Sequence, residues 1–123
     1  METTESLWSE FVNKFEHLWI NHQNSSGDLY WDYDSGVVHF ENQREKYILD
    51  LLQDSIGFAA CKMMRRILGL AKVADIADIT DLKERARIEN ITLQVGKKMV
   101  TERKKFQSIS EVIDLAQEFS TLK

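Results

Sequence analysis

Lys62, Arg65, Arg66 and Gly69 fall at i, i+3, i+4 and i+7 within a stretch otherwise made largely of Ile56, Phe58, Ala59, Met63, Met64, Ile67, Leu68 and Leu70. On a helix this spacing gathers the polar residues into one narrow stripe and leaves apolar side chains around most of the circumference. A guanidinium keeps its charge on burial and presents several donors in a planar fork. Two of them side by side must therefore find carboxylates, carbonyls or an oxygen-rich ligand. Three arrangements would satisfy them: internal salt bridges to acids of the first or second helix, a protein interface, or a ligand site in which the forks hold the oxygens of a sugar or phosphate.

No other group competes well with this pair. Cys61 lies on the same helix, predicted to be buried, with no histidine near it in sequence, so it reads as a packing thiol rather than a nucleophile. One cysteine and three scattered histidines offer no metal-ligand spacing, and His17 and His22, five residues apart, share no helix face. Asp32-Tyr33-Asp34-Ser35-Gly36 begins like a calcium loop, but the third acidic ligand and the distal glutamate are missing, which leaves a solvated acidic loop. Neither Gly-x-x-x-x-Gly-Lys-Ser/Thr nor Gly-x-Gly-x-x-Gly occurs, so the chain has neither of these phosphate-cradling loops.

The elements that must position the arginines are helical. Leu7/Trp8, Phe11/Val12, Phe15 and Leu18/Trp19 recur at three-to-four spacing and predict an amphipathic helix from about Glu5 to Asn21. His22–Asp28 has loop composition, and Val37–Phe40 is too short for periodicity to decide between a strand-like stretch and a helix lead-in. A second helix is expected from about Glu41 to Asp54 with Tyr47, Ile48, Leu51 and Leu52 inward, followed by a break or a close approach at Gly57. The third, from about Ile56 to Ala71, carries the arginines and reads as buried on most sides. After a connector, Asp81 with Glu84 predicts the N-cap of a helix reaching about Lys104, with Ile88, Ile91, Val95 and Met99 on one side. Ser108-Ile109-Ser110-Glu111 is a capping box opening a last helix whose stripe is Ile109, Val112, Ile113, Ala116 and Phe119. The result is an all-α chain of about five helices, read as a single helical unit over residues 1–123.

Composition agrees with this. No proline and only five glycines among 123 residues favour long helices, and 43% hydrophobic with 29% charged residues is ordinary for a globular chain. No apolar run is long enough for a membrane span, and Met1-Glu2-Thr3-Thr4-Glu5 lacks the basic region of a secretory signal, so a cytoplasmic location is expected. The net charge of −4 is unevenly spread: residues 1–55 carry eleven acids against three bases, residues 56–74 four bases and no acid, and residues 75–123 nine of each. A nucleic-acid binder spreads positive charge over a face that follows a phosphate backbone, whereas four cations in one short stretch of an acidic chain suit a local anion or polar-ligand site. Neither nucleic acid nor membrane is expected as a partner.

The run Gly57-Phe58-Ala59-Ala60-Cys61-Lys62-Met63-Met64-Arg65-Arg66-Ile67-Leu68-Gly69-Leu70-Ala71-Lys72-Val73-Ala74-Asp75 resembles the twin-arginine region of S-methyl-5-thioribose kinases. The likeness extends more weakly to the helices before and after it, in the same order, as the final third of a family member. Two positions depart from the family pattern: Ala60 replaces a glycine and Lys72 a histidine. The resemblance implies part of the helical C-terminal lobe of a protein-kinase-like fold, akin to choline kinases and aminoglycoside phosphotransferases. It also implies ATP-dependent phosphorylation of methylthioribose at the 1-hydroxyl with magnesium, a step of methionine salvage. Arg65 and Arg66 occupy the substrate-contacting positions of that motif. The nucleotide-gripping lobe, the catalytic-loop aspartate and the magnesium-binding acidic motif precede this region in the family. The chain alone is therefore expected to be inactive, with a missing kinase lobe or a homodimer as its partner. The alternative is a non-catalytic helical interaction module whose basic stripe meets an acidic partner or the chain's own carboxylates.

Overall fold

The computed structural model describes residues 2–21, 36–69 and 74–121, and the side chains of residues 2 and 36–40 are outside that description. The order is α1 (Glu2–Asn21), α2 (Gly36–Leu68), α3 (Ala74–Ala77), α4 (Leu82–Thr101), a 3-10 turn (Arg103–Lys105) and α5 (Ile109–Thr121). The fold is all-α, with no strand among the described residues. Two compact units divide the chain, Met1–Leu51 and Leu52–Lys123.

The expected break between a second and a third helix is absent, because α2 runs through Gly57 without interruption. A glycine inside a helix costs only about 1 kcal/mol relative to alanine. Good helix formers flank it on both sides, and Leu52, Ile56 and Ala60 are buried around it. Nor does a neighbour demand glycine here: a Cβ at Gly57 would stand 3.4 Å from Arg103 Cδ, an ordinary van der Waals contact. Val37–Phe40 is helical, as the first turns of α2. The connector before α4 holds one helical turn, α3, to which the Arg85 guanidinium donates through the Ala77 carbonyl at 3.4 Å.

In the first unit, one face of α1 packs on α2. Phe15 stacks on Tyr47 with ring centroids 5.5 Å apart, Trp19 meets the same ring at 5.5 Å, and Glu16 lies 3.5 Å from Arg44.

In the second unit, α4 lays Val95 and Met99 in the core, and Leu115 of α5 joins them. The start of α4 is fixed as the sequence predicts: Asp81 Oδ1 accepts from the Lys83 and Glu84 amides at 2.9 and 3.4 Å. Glu84 then turns outward to Arg87, whose hydrogen bond holds its carboxyl below the ordinary carboxylate range. At α5, Ser108 Oγ accepts from the Glu111 amide, but the Glu111 carboxylate reaches one residue further back than in a standard capping box and accepts from the Gln107 amide at 2.9 Å. The Lys98 ammonium sits 5.8 Å over the Phe119 ring and ties α4 to α5.

Gln53 is the buried polar residue that locks the α4–α5 connector to α2. It is 4% exposed, and its Nε2 donates to the Lys104 carbonyl at 3.2 Å and the Phe106 carbonyl at 3.1 Å. Truncation strands buried acceptors and opens a small cavity, so Gln53→Ala should lower unfolding free energy by about 2 kcal/mol. Urea denaturation followed by circular dichroism measures this, and a change below about 0.5 kcal/mol, the usual scale of surface substitutions, would mean the clamp carries no weight.

Candidate functional site

Within the second unit, α2 is two-faced rather than buried on most sides. At about 100° per residue, Leu52, Ile56, Ala60 and Ile67 line one side of the helix. Phe58, Lys62 and Arg65 lie opposite and Arg66 on the flank between the two sides, and all four are exposed. The expectation that apolar residues nearly encircling the helix would bury it therefore fails: Phe58 is 79% exposed and Leu68 73%. Cys61 is exposed as well, which corrects its reading as a packing thiol. The physical reason is that the packing of the second unit covers only one side of the helix, so apolar content outside that side remains in contact with solvent.

The arginines sit in the last turn of α2, where the helix closes through the Gly69 amide donating to the Arg65 carbonyl at 2.8 Å. Cations at a helix C-terminus are favoured by the macrodipole, by about 0.3–1 kcal/mol each. Among the described residues, neither guanidinium has an ion-pair or hydrogen-bond partner. Within the first unit, Glu16 of α1 lies 3.5 Å from Arg44. Two unpaired, solvent-facing forks one residue apart can accept several oxygens of an incoming polyol or anion.

The remaining candidates are placed as follows. His17 is exposed and shares a hydrogen bond of 3.1 Å with Asn21. His22, the His39 side chain and Asp32–Asp34 lie outside the described residues. No group of three His, Cys, Asp or Glu side chains among the described residues is placed to hold a metal ion. Phe58 was not singled out by sequence reasoning, because an apolar residue on a mostly apolar helix gives no sign of facing solvent.

No family model matches the chain. Curated relatives do. Methylthioribose kinase 1 of Oryza sativa subsp. japonica is 37% identical over 121 residues, and methylthioribose kinase 2 of the same plant is 36% identical over the same length, covering 97% of this chain. The chain is homologous to the C-terminal segment of methylthioribose kinases. A methylthioribose kinase of Bacillus anthracis (strain A0248) is 30% identical over 99 residues, 78% of this chain. The chain spans about 28% of the length of the plant methylthioribose kinases and 22% of the bacterial one. The likeness covers α1 to α5 rather than the arginine run alone, since an alignment of 121 residues leaves almost nothing of the chain outside it. Among the described residues, no helix is long and apolar enough to cross a membrane.

Proposed function

We propose that this segment works as the substrate-side part of a cytoplasmic methylthioribose kinase, which transfers a phosphoryl group from ATP to the 1-hydroxyl of methylthioribose in methionine salvage. The observation that carries the reading is identity of 36–37% to the two rice kinases across 97% of the chain. Arg65 and Arg66 hold the ribose oxygens and stabilise charge near the transferring phosphoryl group, since phosphoryl transfer depends on positioning and charge stabilisation. The described residues contain neither phosphate-cradling glycine loop and no three side chains grouped for a metal, so none of them is assigned to magnesium–ATP. Nucleotide and magnesium are supplied by parts of a complete kinase outside this chain, and no step through them is assigned to these residues.

The test replaces the corresponding segment of rice methylthioribose kinase 1 with residues 1–123 and measures ATP-dependent phosphorylation of methylthioribose. The chimera should be active, while residues 1–123 alone should give no turnover. A folded chimera without activity would overturn the reading, and turnover by the isolated segment would refute its incompleteness.

A second reading, a helical interaction module, has one observation in its favour. Leu7, Phe11 and Leu18 fall within an arc of about 40° on α1. They are 70%, 39% and 57% exposed, which gives the first unit an apolar stripe suited to association. Light scattering of the isolated chain separates the readings: a stable self-assembly abolished by Leu7→Glu and Leu18→Glu, together with an inactive chimera, would favour the module.

A further inference from the structure

The face of α2 that carries Arg65 also carries an aromatic ring turned to solvent. Phe58 is 79% exposed, and its ring makes no aromatic or cation contact among the described residues. Phe58, Lys62 and Arg65 fall within an arc of about 60°, with Arg66 at its edge. Phe58 and Arg65 lie about 10 Å apart along the helix axis. The exposed face therefore offers an apolar end and a polar end, separated by a distance comparable with the length of a substituted pentose. Methylthioribose has the matching division: a methylthio group at C5, and hydroxyls with the reacting C1 oxygen at the other end.

We infer that Phe58 receives the methylthio group while Arg65 and Arg66 hold the hydroxyl end, so that Phe58 sets the preference for a thioether-bearing pentose over a plain one. This rests on the kinase reading above and adds a specificity-determining residue to it. A thioether is polarisable and packs favourably against an aromatic ring, an interaction that the hydroxyl groups do not share. The arginines by themselves cannot make this distinction, because both sugars offer them the same oxygens.

The experiment is steady-state kinetics of the chimera with two sugars: methylthioribose and 5-deoxyribose, which lacks only the methylthio group. Phe58→Ala should reduce the ratio of kcat/KM for methylthioribose over 5-deoxyribose by about 10-fold, mainly through KM, as loss of a small apolar contact does. Phe58→Met, which restores an apolar side chain of similar reach, should return the ratio to within about threefold of the parent. Arg65→Ala should lower both sugars alike and leave the ratio in place. If Phe58→Ala leaves the ratio unchanged while Arg65→Ala depresses both sugars, the role of Phe58 is wrong and the kinase reading stands. If neither Arg65→Ala nor Arg66→Ala affects either sugar, the substrate-side reading fails and takes this inference with it.

Discussion

Arg65→Ala in the rice chimera is expected to lower kcat/KM for methylthioribose by about 10²–10³-fold, the range seen when one positioned donor to a developing charge is removed. Arg66→Ala should fall in the same range. At about 1.4 kcal/mol per tenfold, this corresponds to roughly 3–4 kcal/mol of transition-state stabilisation. Folding should hardly respond, because both side chains are exposed and neither guanidinium has an internal partner among the described residues. The helix-dipole contribution bounds the stability loss at about 1 kcal/mol. Arg65→Lys is the informative companion. It keeps the charge but loses the planar fork, so partial recovery points to charge as the main contribution and no recovery points to the fork geometry. A loss of activity matched by an equal loss of folding would instead mark the arginines as structural.

Gly96→Val is expected to destabilise the isolated chain by about 3 kcal/mol, at the upper end of what overpacking a fitted contact costs. A Cβ at Gly96 would stand 2.7 Å from Met64 Cγ and 3.3 Å from its sulfur, with the Ala60 carbonyl at 3.5 Å. Gly96 of α4 thus packs directly against Met64 and Ala60 of α2. Met64 immediately precedes Arg65, so any part of the clash that Met64 does not relieve by changing rotamer is passed to the turn that bears the arginines. The same substitution should therefore reduce methylthioribose turnover in the chimera more than its stability loss alone explains. Gly96→Ala should be milder, because alanine recovers up to about 1 kcal/mol of helix propensity and Met64 has rotamers to spare. Urea unfolding checks the first part. A valine variant as stable as the parent would show that the helices can separate freely here.

What the sequence made legible was local. The Asp81 cap and the inward row of Ile88, Ile91, Val95 and Met99 depend on spacing within one helix and are present, whereas the α1 stripe is helical as spaced but buries only Trp19 fully and leaves Leu7, Phe11 and Leu18 exposed. The continuity of α2 was not legible, since a glycine between two helical patterns carries the same signal whether the chain breaks there or a neighbour approaches. The exposure of Phe58, Cys61 and Leu68 was hidden for a related reason. A helix apolar on all sides reads as buried, yet burial depends on how many elements surround it, and the second unit covers one side of this one. Gln53 passed unnoticed because its carbonyl partners arrive from residues 104 and 106, far away in sequence. The arginine pair was visible from its spacing on a helix, whereas its exposure depends on which side of α2 the second unit covers.

The most direct test of the account is whether the chimera converts methylthioribose and ATP to a sugar 1-phosphate, followed by phosphorus NMR with and without Arg65→Ala. A 1-phosphate signal that the parent chimera produces and the variant all but loses, with both proteins equally folded, is the predicted result. The same signal at the same rate from both proteins, or from neither of two well-folded proteins, would contradict it.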